Sequence, residues 1–225
     1  MGALAIIPAR SGSKGLRNKN ILPLKERPLI HYTIEAALGS NCFEDVLVST
    51  DSLQYKEISE SAGAWVPFLR QEDLSNDTAK TDDVIINILG KLNSIGKTYD
   101  KFMLLQPTSP LRNQNHIIEA FNLLNEKNAN AVVSVCEAEH SPLLCNNIQP
   151  DLNMDHFIKK NIRRQDLDTY YRLNGAIYLL RTEYFLQYRY FYHSESYAYI
   201  MDKRSSVDID DIYDFKLAQA LLEEK

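Results

Sequence analysis

The sequence predicts an α/β fold in which a mostly parallel, Rossmann-like sheet is flanked by helices. Runs of strand length, such as ALAII at 3–7 and KFMLLQ at 101–106, are apolar at consecutive positions, as strands covered on both faces are. Segments with helical periodicity alternate with these runs, which is typical of parallel sheets. The chain has 225 residues, and 44% of them are hydrophobic, so it can bury one large core. We therefore predict a single domain over residues 1–225.

In the first half of the chain, strand and helix patterns follow one another without interruption. Ile30, Ile34 and Leu38 share one face of a predicted helix, and Gly39 is placed to end it. Thr81 is placed to cap a later helix, because two acidic residues follow it in the first turn. The predicted strands are 3–7, 45–51 and 64–68, and the predicted helices are 28–39, 52–62 and 81–92.

In the second half, the alternation breaks after residue 137. The predicted elements are a strand at 101–106, a helix at 113–127, strands at 131–137 and 173–180, a short helix, a strand at 197–201 and a helix from about residue 211. Residues 137–170 hold two prolines, several asparagines and a basic cluster, and they predict a lobe that protrudes from the sheet. This lobe is either a plain surface excursion or an oligomerisation arm that also reaches a site.

Composition and charge exclude several classes of protein. The formal net charge is -5, which argues against general nucleic-acid binding. The sequence has no run of about 18 apolar residues, so we expect no membrane span. The three cysteines form no C-x-x-C pair, so a disulfide framework and a zinc site are not expected. We expect free thiols in a reducing compartment and a cytoplasmic location.

Four cations lie in one loop directly after the first strand, at Arg10, Lys14, Arg17 and Lys19. In open parallel sheets, ligands bind beyond the carboxyl ends of the strands, which is where this loop begins. Its glycines let the main chain approach a ligand, and a triphosphate would suit four cations. The loop has neither the P-loop pattern nor G-x-G-x-x-G. It is therefore either a phosphate-binding loop of another kind or a solvated basic loop.

A second feature is the pair Asp208 and Asp210 near the end of the chain. Residues two apart on an extended segment point to the same side, and two carboxylates can hold Mg²⁺ together with phosphate oxygens. Alternatively, Asp210 or Asp211 caps the last helix. A cationic loop combined with a Mg²⁺ site is what attack on a nucleoside triphosphate needs.

Five motifs together resemble one enzyme family. They are PAR-x-x-SKG-x-x-x-KN, FLR-x-x-x-L-x-x-D-x-A, LLQPTSPLR, R-x-NGAIY and S-x-DID, in that order between about residues 3 and 222. This combination resembles the acylneuraminate cytidylyltransferases, also called CMP-sialic acid synthetases, and their relatives for other nonulosonic acids. The resemblance implies a nucleotide-diphospho-sugar transferase type of α/β fold and a homodimer formed through the 137–170 lobe. It also implies a Mg²⁺-dependent reaction of CTP with a nine-carbon 2-keto acid sugar, which releases pyrophosphate.

The resemblance also implies a role for individual residues. Those expected to hold CTP are Ala9, Arg10, Ser13, Lys14, Lys19, Asn20, Arg70, Ala79 and Thr81. Those expected to bind the sugar are Gln106, Arg164, Arg172, Tyr178, Phe191 and Tyr192. Arg10, Lys19, Asp208 and Asp210 are the expected catalytic residues, with Lys19 facing the α-phosphate and both aspartates carrying Mg²⁺.

The sequence departs from the family at two positions. Leu144 stands where many sialic acid enzymes have a lysine, and Arg17 stands where a proline is frequent. Leu144 leaves the sugar open among N-acetylneuraminic, legionaminic and pseudaminic acids. The alternatives are a cytidylyltransferase for the eight-carbon sugar Kdo, a glycosyltransferase that uses D-I-D as a DxD metal motif, and a non-catalytic nucleotide sensor.

Overall fold

A computed structural model describes residues 2–12, 15–76, 78–158, 163 and 167–223 of the chain. The strands are β1 (Ala3–Pro8), β2 (Pro23–Leu24), β3 (Arg27–Pro28), β4 (Asp45–Ser49), β5 (Lys101–Leu104), β6 (Ala131–Glu137), β7 (Tyr171–Arg181) and β8 (Ser196–Ile200). The α-helices are α1 (Leu29–Ser40), α2 (Leu53–Ser61), α3 (Thr81–Ser94), α4 (Gln114–Glu126), α5 (Thr182–Tyr188) and α6 (Ile212–Glu223). None of the helices in these ranges combines the length and the apolar character needed to cross a membrane.

Six strands form the main sheet, in the order β4-β1-β5-β7-β6-β8. The pairs β4–β1, β1–β5 and β6–β8 are parallel, whereas β7 is antiparallel to both of its neighbours. Five strands therefore share one direction and β7 runs against them. The predicted mostly parallel sheet is confirmed, and the reversal of β7 is a feature that the alternating pattern did not predict.

Each face of the sheet is covered by helices. On one face, α1, α2 and α4 bury apolar side chains against β1, β4, β5, β6 and β7. On the other face, α3 and α5 pack against β1, β5 and the end of β7. A third, smaller cluster joins α6 to the start of α1 through Leu29, Ile209 and Phe215. Nearly all side chains of β1, β4 and β5 are buried, on both faces, which explains why these strands appear in the sequence as continuous apolar runs.

Three local predictions were wrong. The segment 64–68 makes only an isolated bridge at Trp65 rather than a strand, and Pro67, which lacks an N–H, follows closely. Helix α1 does not end at Gly39, because Asn41 adopts the left-handed conformation at φ 53° and ends it two residues later. Thr81 is the first residue of α3 and not its cap, since the residue before it is extended and makes no side-chain cap bond.

The break after residue 137 is confirmed in the part of the chain that the structure describes. Between β6 and β7, that part contains one short 3₁₀ turn at Pro142–Leu144 and is mostly exposed to solvent. Ile148, Leu152 and Met154 are exposed apolar residues on it. Its role in dimerisation stays a prediction.

Candidate active site

The basic loop begins at the edge of the sheet where parallel strands end. The Ala9 N–H donates to the Ser49 carbonyl (2.9 Å), which joins the start of the loop to the end of β4. The N–H and hydroxyl of Ser11 then donate to the two carboxylate oxygens of Asp51, at 2.8 and 2.9 Å. Because β1 and β4 are parallel, both carboxyl ends meet here, and Asp51 anchors the loop between them.

The end of the loop is held against the segment that contains the two aspartates. Lys19 lies in a 3₁₀ turn, and its Nζ donates to the Ile209 carbonyl (2.5 Å) and lies 3.4 Å from Asp210 Oδ1. Asn20 is buried, and its Nδ2 donates to the Arg10 carbonyl (3.3 Å). A Cβ added to Gly15 would lie 2.6 Å from the Asp210 carbonyl oxygen, so the main chain of the loop packs directly against the main chain of Asp210. The two ends of the sequence thus form one site.

Two guanidinium groups form a positive wall on one side of the site. Arg70 donates from Nε to the Ser49 hydroxyl (3.0 Å) and from Nη2 to the Ser49 carbonyl (2.6 Å). Burial lowers the pKa of Arg70 to about 10, while Asp51 raises it and the nearby Arg10 lowers it further. Arg10 donates from Nη1 to the Ser75 carbonyl (3.4 Å). Two cations that repel each other in a partly buried place favour a bound anion.

Asp208 and Asp210 line the same cleft as these two arginines, and they differ in environment. Asp208 is largely buried and is bonded by the Thr108 side chain, whereas 84% of the Asp210 side chain is exposed. Burial raises the pKa of Asp208, and the negative charge of Asp210 raises it further. Asp208 Oδ1 is buried and has no hydrogen-bond partner among the described residues. An unpartnered buried carboxylate oxygen beside a second carboxylate fits a hard cation such as Mg²⁺.

Asp211, and not Asp210, caps the last helix, α6. Its Oδ1 accepts from the N–H groups of Tyr213 (2.7 Å) and Asp214 (3.0 Å) at the start of α6. In return, Asp214 Oδ2 accepts from the N–H groups of Asp210 and Asp211, at 3.0 and 3.1 Å, which completes a reciprocal cap. The carboxylates of Asp208 and Asp210 are therefore not used by the cap. Within the described ranges, no group of three or more His, Cys, Asp and Glu side chains could hold a metal ion.

An irregular part of β7 lies behind the side chains of Gln106 and Asp208, which line the site. Opposite β6, Val133 pairs with Tyr178 but Val135 pairs with Leu173, so β7 carries three extra residues. Asn174 secures this bulge, since its Oδ1 accepts from the Ser134 hydroxyl (2.6 Å) and its Nδ2 donates to the Ser206 hydroxyl (2.9 Å). The next residue is Gly175, at φ +74°. A Cβ there would lie 2.8 Å from Gln106 Oε1 and 3.3 Å from Asp208 Oδ2, so both side chains rest on its main chain.

These parts enclose a cleft of about 580 Å³. The predicted site residues that line it are Arg10, Lys19, Asn20, Arg70, Ala79, Thr81, Gln106, Asp208 and Asp210. Ala9 is fully buried behind it, and Arg172 is exposed and donates to the Leu173 carbonyl, so neither lines the cleft. Ser13, Lys14 and Arg164, and the basic residues Lys159 and Lys160, lie outside the described residues.

The three predicted aromatic residues form a cluster of their own. The ring centroids of Tyr178 and Phe191 are 5.4 Å apart, and those of Phe191 and Tyr192 are 6.1 Å apart. Burial raises the pKa of Tyr178 to about 12, with contributions from a hydrogen bond with Tyr192 and from the charge of Asp208. Tyr192 also lines a smaller cavity of about 270 Å³ beside Leu173. The cluster therefore adjoins the acidic side of the cleft without lining it.

Sequence reasoning missed four residues that shape the site, namely Asp51, Thr108, Arg112 and Asn174. Asp51 ends a predicted strand at the ligand-binding edge, so the rule that located the basic loop could have found it. The other three lie inside the motifs LLQPTSPLR and R-x-NGAIY, but their side chains bond other protein groups. Spacing along the sequence gives no signal for such bonds.

Comparisons with known proteins agree with this geometry. The sequence profile of a family described as "Cytidylyltransferase" matches residues 4–225. The N-acylneuraminate cytidylyltransferase of Escherichia coli O18:K1:H7 is 44% identical over 99% of this chain, which spans only 52% of that protein. The CMP-N,N'-diacetyllegionaminic acid synthase of Legionella pneumophila is 37% identical over 99% of this chain and 97% of its own length.

A solved structure shares the fold. CMP:2-keto-3-deoxy-manno-octonic acid synthetase complexed with CTP superposes with a TM-score of 0.75, over 100% of this chain and 99% of that one. The identity is 16%, so this likeness concerns the fold alone. The profile match and the two relatives, together with the cleft, show that the chain belongs to the cytidylyltransferase family.

Proposed function

We propose that the chain transfers CMP from CTP to the anomeric hydroxyl of a nonulosonic acid, a nine-carbon 2-keto acid sugar, and releases pyrophosphate. The main support is one observation about the cleft. It brings three cations, Arg10, Lys19 and Arg70, into the same cleft of about 580 Å³ as the carboxylates of Asp208 and Asp210. Phosphoryl and nucleotidyl transfers depend mostly on positioning and on neutralising charge, and such a cleft supplies both.

Mg²⁺ is the proposed cofactor, held by Asp208 and Asp210. The unpartnered Oδ1 of Asp208 supports this assignment, as does the exposure of Asp210. When bound, Mg²⁺ would neutralise phosphate charge and would complete its coordination with phosphate oxygens and water. Asp208 is kept in place by Thr108 and by the main chain of Gly175, which supports a site that needs little rearrangement to accept the ion.

The proposed reaction needs no covalent intermediate with the protein. The anomeric oxygen of the sugar forms a bond to the α-phosphorus of CTP. The bond from that phosphorus to the bridging oxygen breaks, and pyrophosphate leaves with the electron pair. The hydroxyl proton passes to water in the open cleft. Lys19 and Arg10 donate to phosphate oxygens as negative charge builds up on them. Gln106, which also lines the cleft, binds the sugar.

The pocket for the nucleoside is proposed on the wall formed by Arg70, Ala79 and Thr81. These residues line the cleft between the end of β4 and the start of α3. The main-chain N–H of Arg70 donates to the Thr50 carbonyl (2.7 Å), which fixes this wall to the sheet. A base and a ribose need such a rigid, partly apolar surface, and Leu74 and Val84 supply its apolar part.

The identity of the sugar is the open part of the proposal. The relatives described above are named for N-acylneuraminate and for N,N'-diacetyllegionaminic acid. Leu144 is half-buried and is the last residue of the 3₁₀ turn Pro142–Leu144 in the lobe. A leucine cannot supply the positive charge of the family's lysine, so another cation is needed to help neutralise the reacting anions. Lys159, Lys160 and Arg163 are the proposed candidates.

The experiment is pyrophosphate release from CTP and Mg²⁺ with N-acetylneuraminic, N,N'-diacetyllegionaminic, pseudaminic and Kdo acids in parallel. Release with one nine-carbon acid would support the proposal and identify the substrate. Release with Kdo alone would favour the eight-carbon alternative. Transfer from a nucleotide-sugar without use of CTP would favour the glycosyltransferase. Binding of CTP without release in any reaction would favour a non-catalytic sensor.

A cytoplasmic homodimer is proposed as the working form, with Arg164 of the lobe reaching the site of the other subunit. Exposed apolar residues on the lobe, such as Leu152 and Met154, support a contact there. The test mixes Arg164→Ala and Lys19→Ala subunits. Recovery of activity in verified mixed dimers would support a shared site, because one of the two sites then has both residues intact. No recovery would indicate a site built within one chain.

A further inference from the structure

Arg112 is a cation in the protein interior, in the turn between β5 and α4. It is 1% exposed, and its Nη1 donates to the carbonyls of Ala176 (3.0 Å) and Gln106 (3.3 Å). Its Nε and Nη2 are buried without a hydrogen-bond partner among the described residues. Burial lowers the pKa of Arg112 to about 9, and no carboxylate among the described residues offsets that effect. Taking a guanidinium out of water without an acidic partner costs free energy, so stability alone is a poor explanation for this residue.

The two carbonyls that Arg112 joins belong to the two chain segments below the cleft. Gln106 lines the cleft with its side chain, and Ala176 follows Gly175, on which that side chain rests. The same turn is bonded to the segment that contains Asp208 and Asp210, because the Ile209 N–H donates to the Thr108 carbonyl (2.8 Å). Strand pairing does not make these connections, since the β5–β7 ladder ends at the pair Leu104–Tyr178, two residues short of Gln106 and Ala176. Arg112 supplies the link that the ladder lacks.

We propose that Arg112 is a positioning residue for the sugar side of the cleft. It holds the Gln106 main chain against the Gly175–Ala176 main chain and so fixes where the Gln106 side chain meets the acid sugar. The inference rests on the proposed function for its substrate, but the geometric link is independent of it. Arg112 itself does not line the cleft, so it acts through Gln106.

The test compares Arg112→Lys and Arg112→Met with a matched control, Arg181→Lys. Arg181 is the last residue of β7, the strand that contains Ala176. Like Arg112, it bonds a main-chain carbonyl, because its Nε donates to the Ala129 carbonyl (2.9 Å). For both Arg112 variants we expect the KM for the acid sugar to rise about 10-fold or more, while the KM for CTP changes less than about 2-fold. Arg181→Lys should show no such difference between the two substrates. A parallel change in both constants, or none, would overturn the proposal.

Two further measurements test whether Arg112 acts through Gln106 and whether it links the two main-chain segments. In a Gln106→Ala background, Arg112→Lys should lose most of its effect on the sugar KM, whereas additive effects would overturn the route through Gln106.

Hydrogen exchange should be faster at 105–109 and 174–177 in Arg112→Lys and unchanged at 128–131, and unchanged exchange at the first two segments would overturn the link. If the wild-type chain releases no pyrophosphate with any acid, the proposed function fails, and hydrogen exchange alone then decides the link. If Arg112→Met does not fold, Arg112→Lys decides the test.

Discussion

Gly175→Ala is the substitution that best separates the geometry of the cleft from the stability of the fold. Gly175 is buried in the bulge of β7 at φ +74°, where an L side chain is disfavoured. An added Cβ would lie 2.8 Å from Gln106 Oε1 and 3.3 Å from Asp208 Oδ2. The first distance is shorter than real Cβ contacts allow, so the Gln106 side chain must move. We therefore expect the substitution to affect both substrate binding and metal binding.

The magnitude follows from two separate effects. The left-handed conformation costs a residue with a Cβ about 1–2 kcal/mol relative to glycine. For a chain of this length, that corresponds to a fall in Tm of about 2–8 °C. The displacement of Gln106 and Asp208 adds to this, and a misplacement of about 1 Å at a reacting centre can reduce turnover about 10²-fold. The expected result is thus a modest loss of stability with a much larger loss of kcat/KM.

Gly96→Ala is the matched control. Gly96 follows α3 at φ +78°, and a Cβ there would meet no atom within 4 Å. It therefore carries the same conformational cost without the contacts. The assay combines thermal melts of both variants with pyrophosphate release at varied Mg²⁺ and sugar. If Gly175→Ala loses no more activity than Gly96→Ala, the reasoning about the irregular part of β7 is refuted.

Three further predictions concern the rest of the cleft. Lys19→Ala should reduce kcat about 10²–10³-fold, as loss of one transition-state donor does, while the chain still folds; a turnover equal to that of the wild type in pyrophosphate release would contradict its assigned role. Gly15→Ala should reduce activity because its Cβ would lie 2.6 Å from the Asp210 carbonyl, while Gly12→Ala, which has open space, should not; equal activities would contradict this. Asp208→Asn should raise the Tm of the metal-free protein, because it removes a buried carboxylate, and should abolish the response to Mg²⁺; an unchanged Mg²⁺ titration would move the metal elsewhere.

The parallel part of the sheet was predictable because its physical signal lies along the sequence. Strands covered on both faces must be apolar at consecutive positions, and helices between them must show a 3.6-residue period. The same rule located the basic loop, since the loop after the first strand of a parallel sheet lies at the ligand-binding edge. Arg10 and Lys19 could therefore be expected at this edge from the sequence, whereas Asn20 was expected only from the family resemblance, and all three line the cleft.

The choice between capping and metal binding for the aspartates needed coordinates. Asp210 and Asp211 are adjacent in sequence, and either could accept from the first N–H groups of α6. The direction of the Asp211 side chain assigns it to the cap, at 2.7 Å from the Tyr213 N–H. Asp208 differs from both because Thr108 and Gly175, which are distant in sequence, surround it. Burial of this kind depends on tertiary packing and has no local signal.

The reversal of β7 explains why its place behind the site could not be derived from strand ends. Leu104 pairs with Tyr178 and Lys101 pairs with Arg181, so the first half of β7 lies at the edge where β1 and β5 end. A reversed strand brings its beginning, rather than its end, to the ligand-binding edge. The main chain near that beginning then lies against the side chains of Gln106 and Asp208, where a Cβ at Gly175 would come within 2.8 Å of Gln106 Oε1. The close approach explains why the NGAIY motif has a residue without a Cβ at this position, and Gly175→Ala tests that explanation.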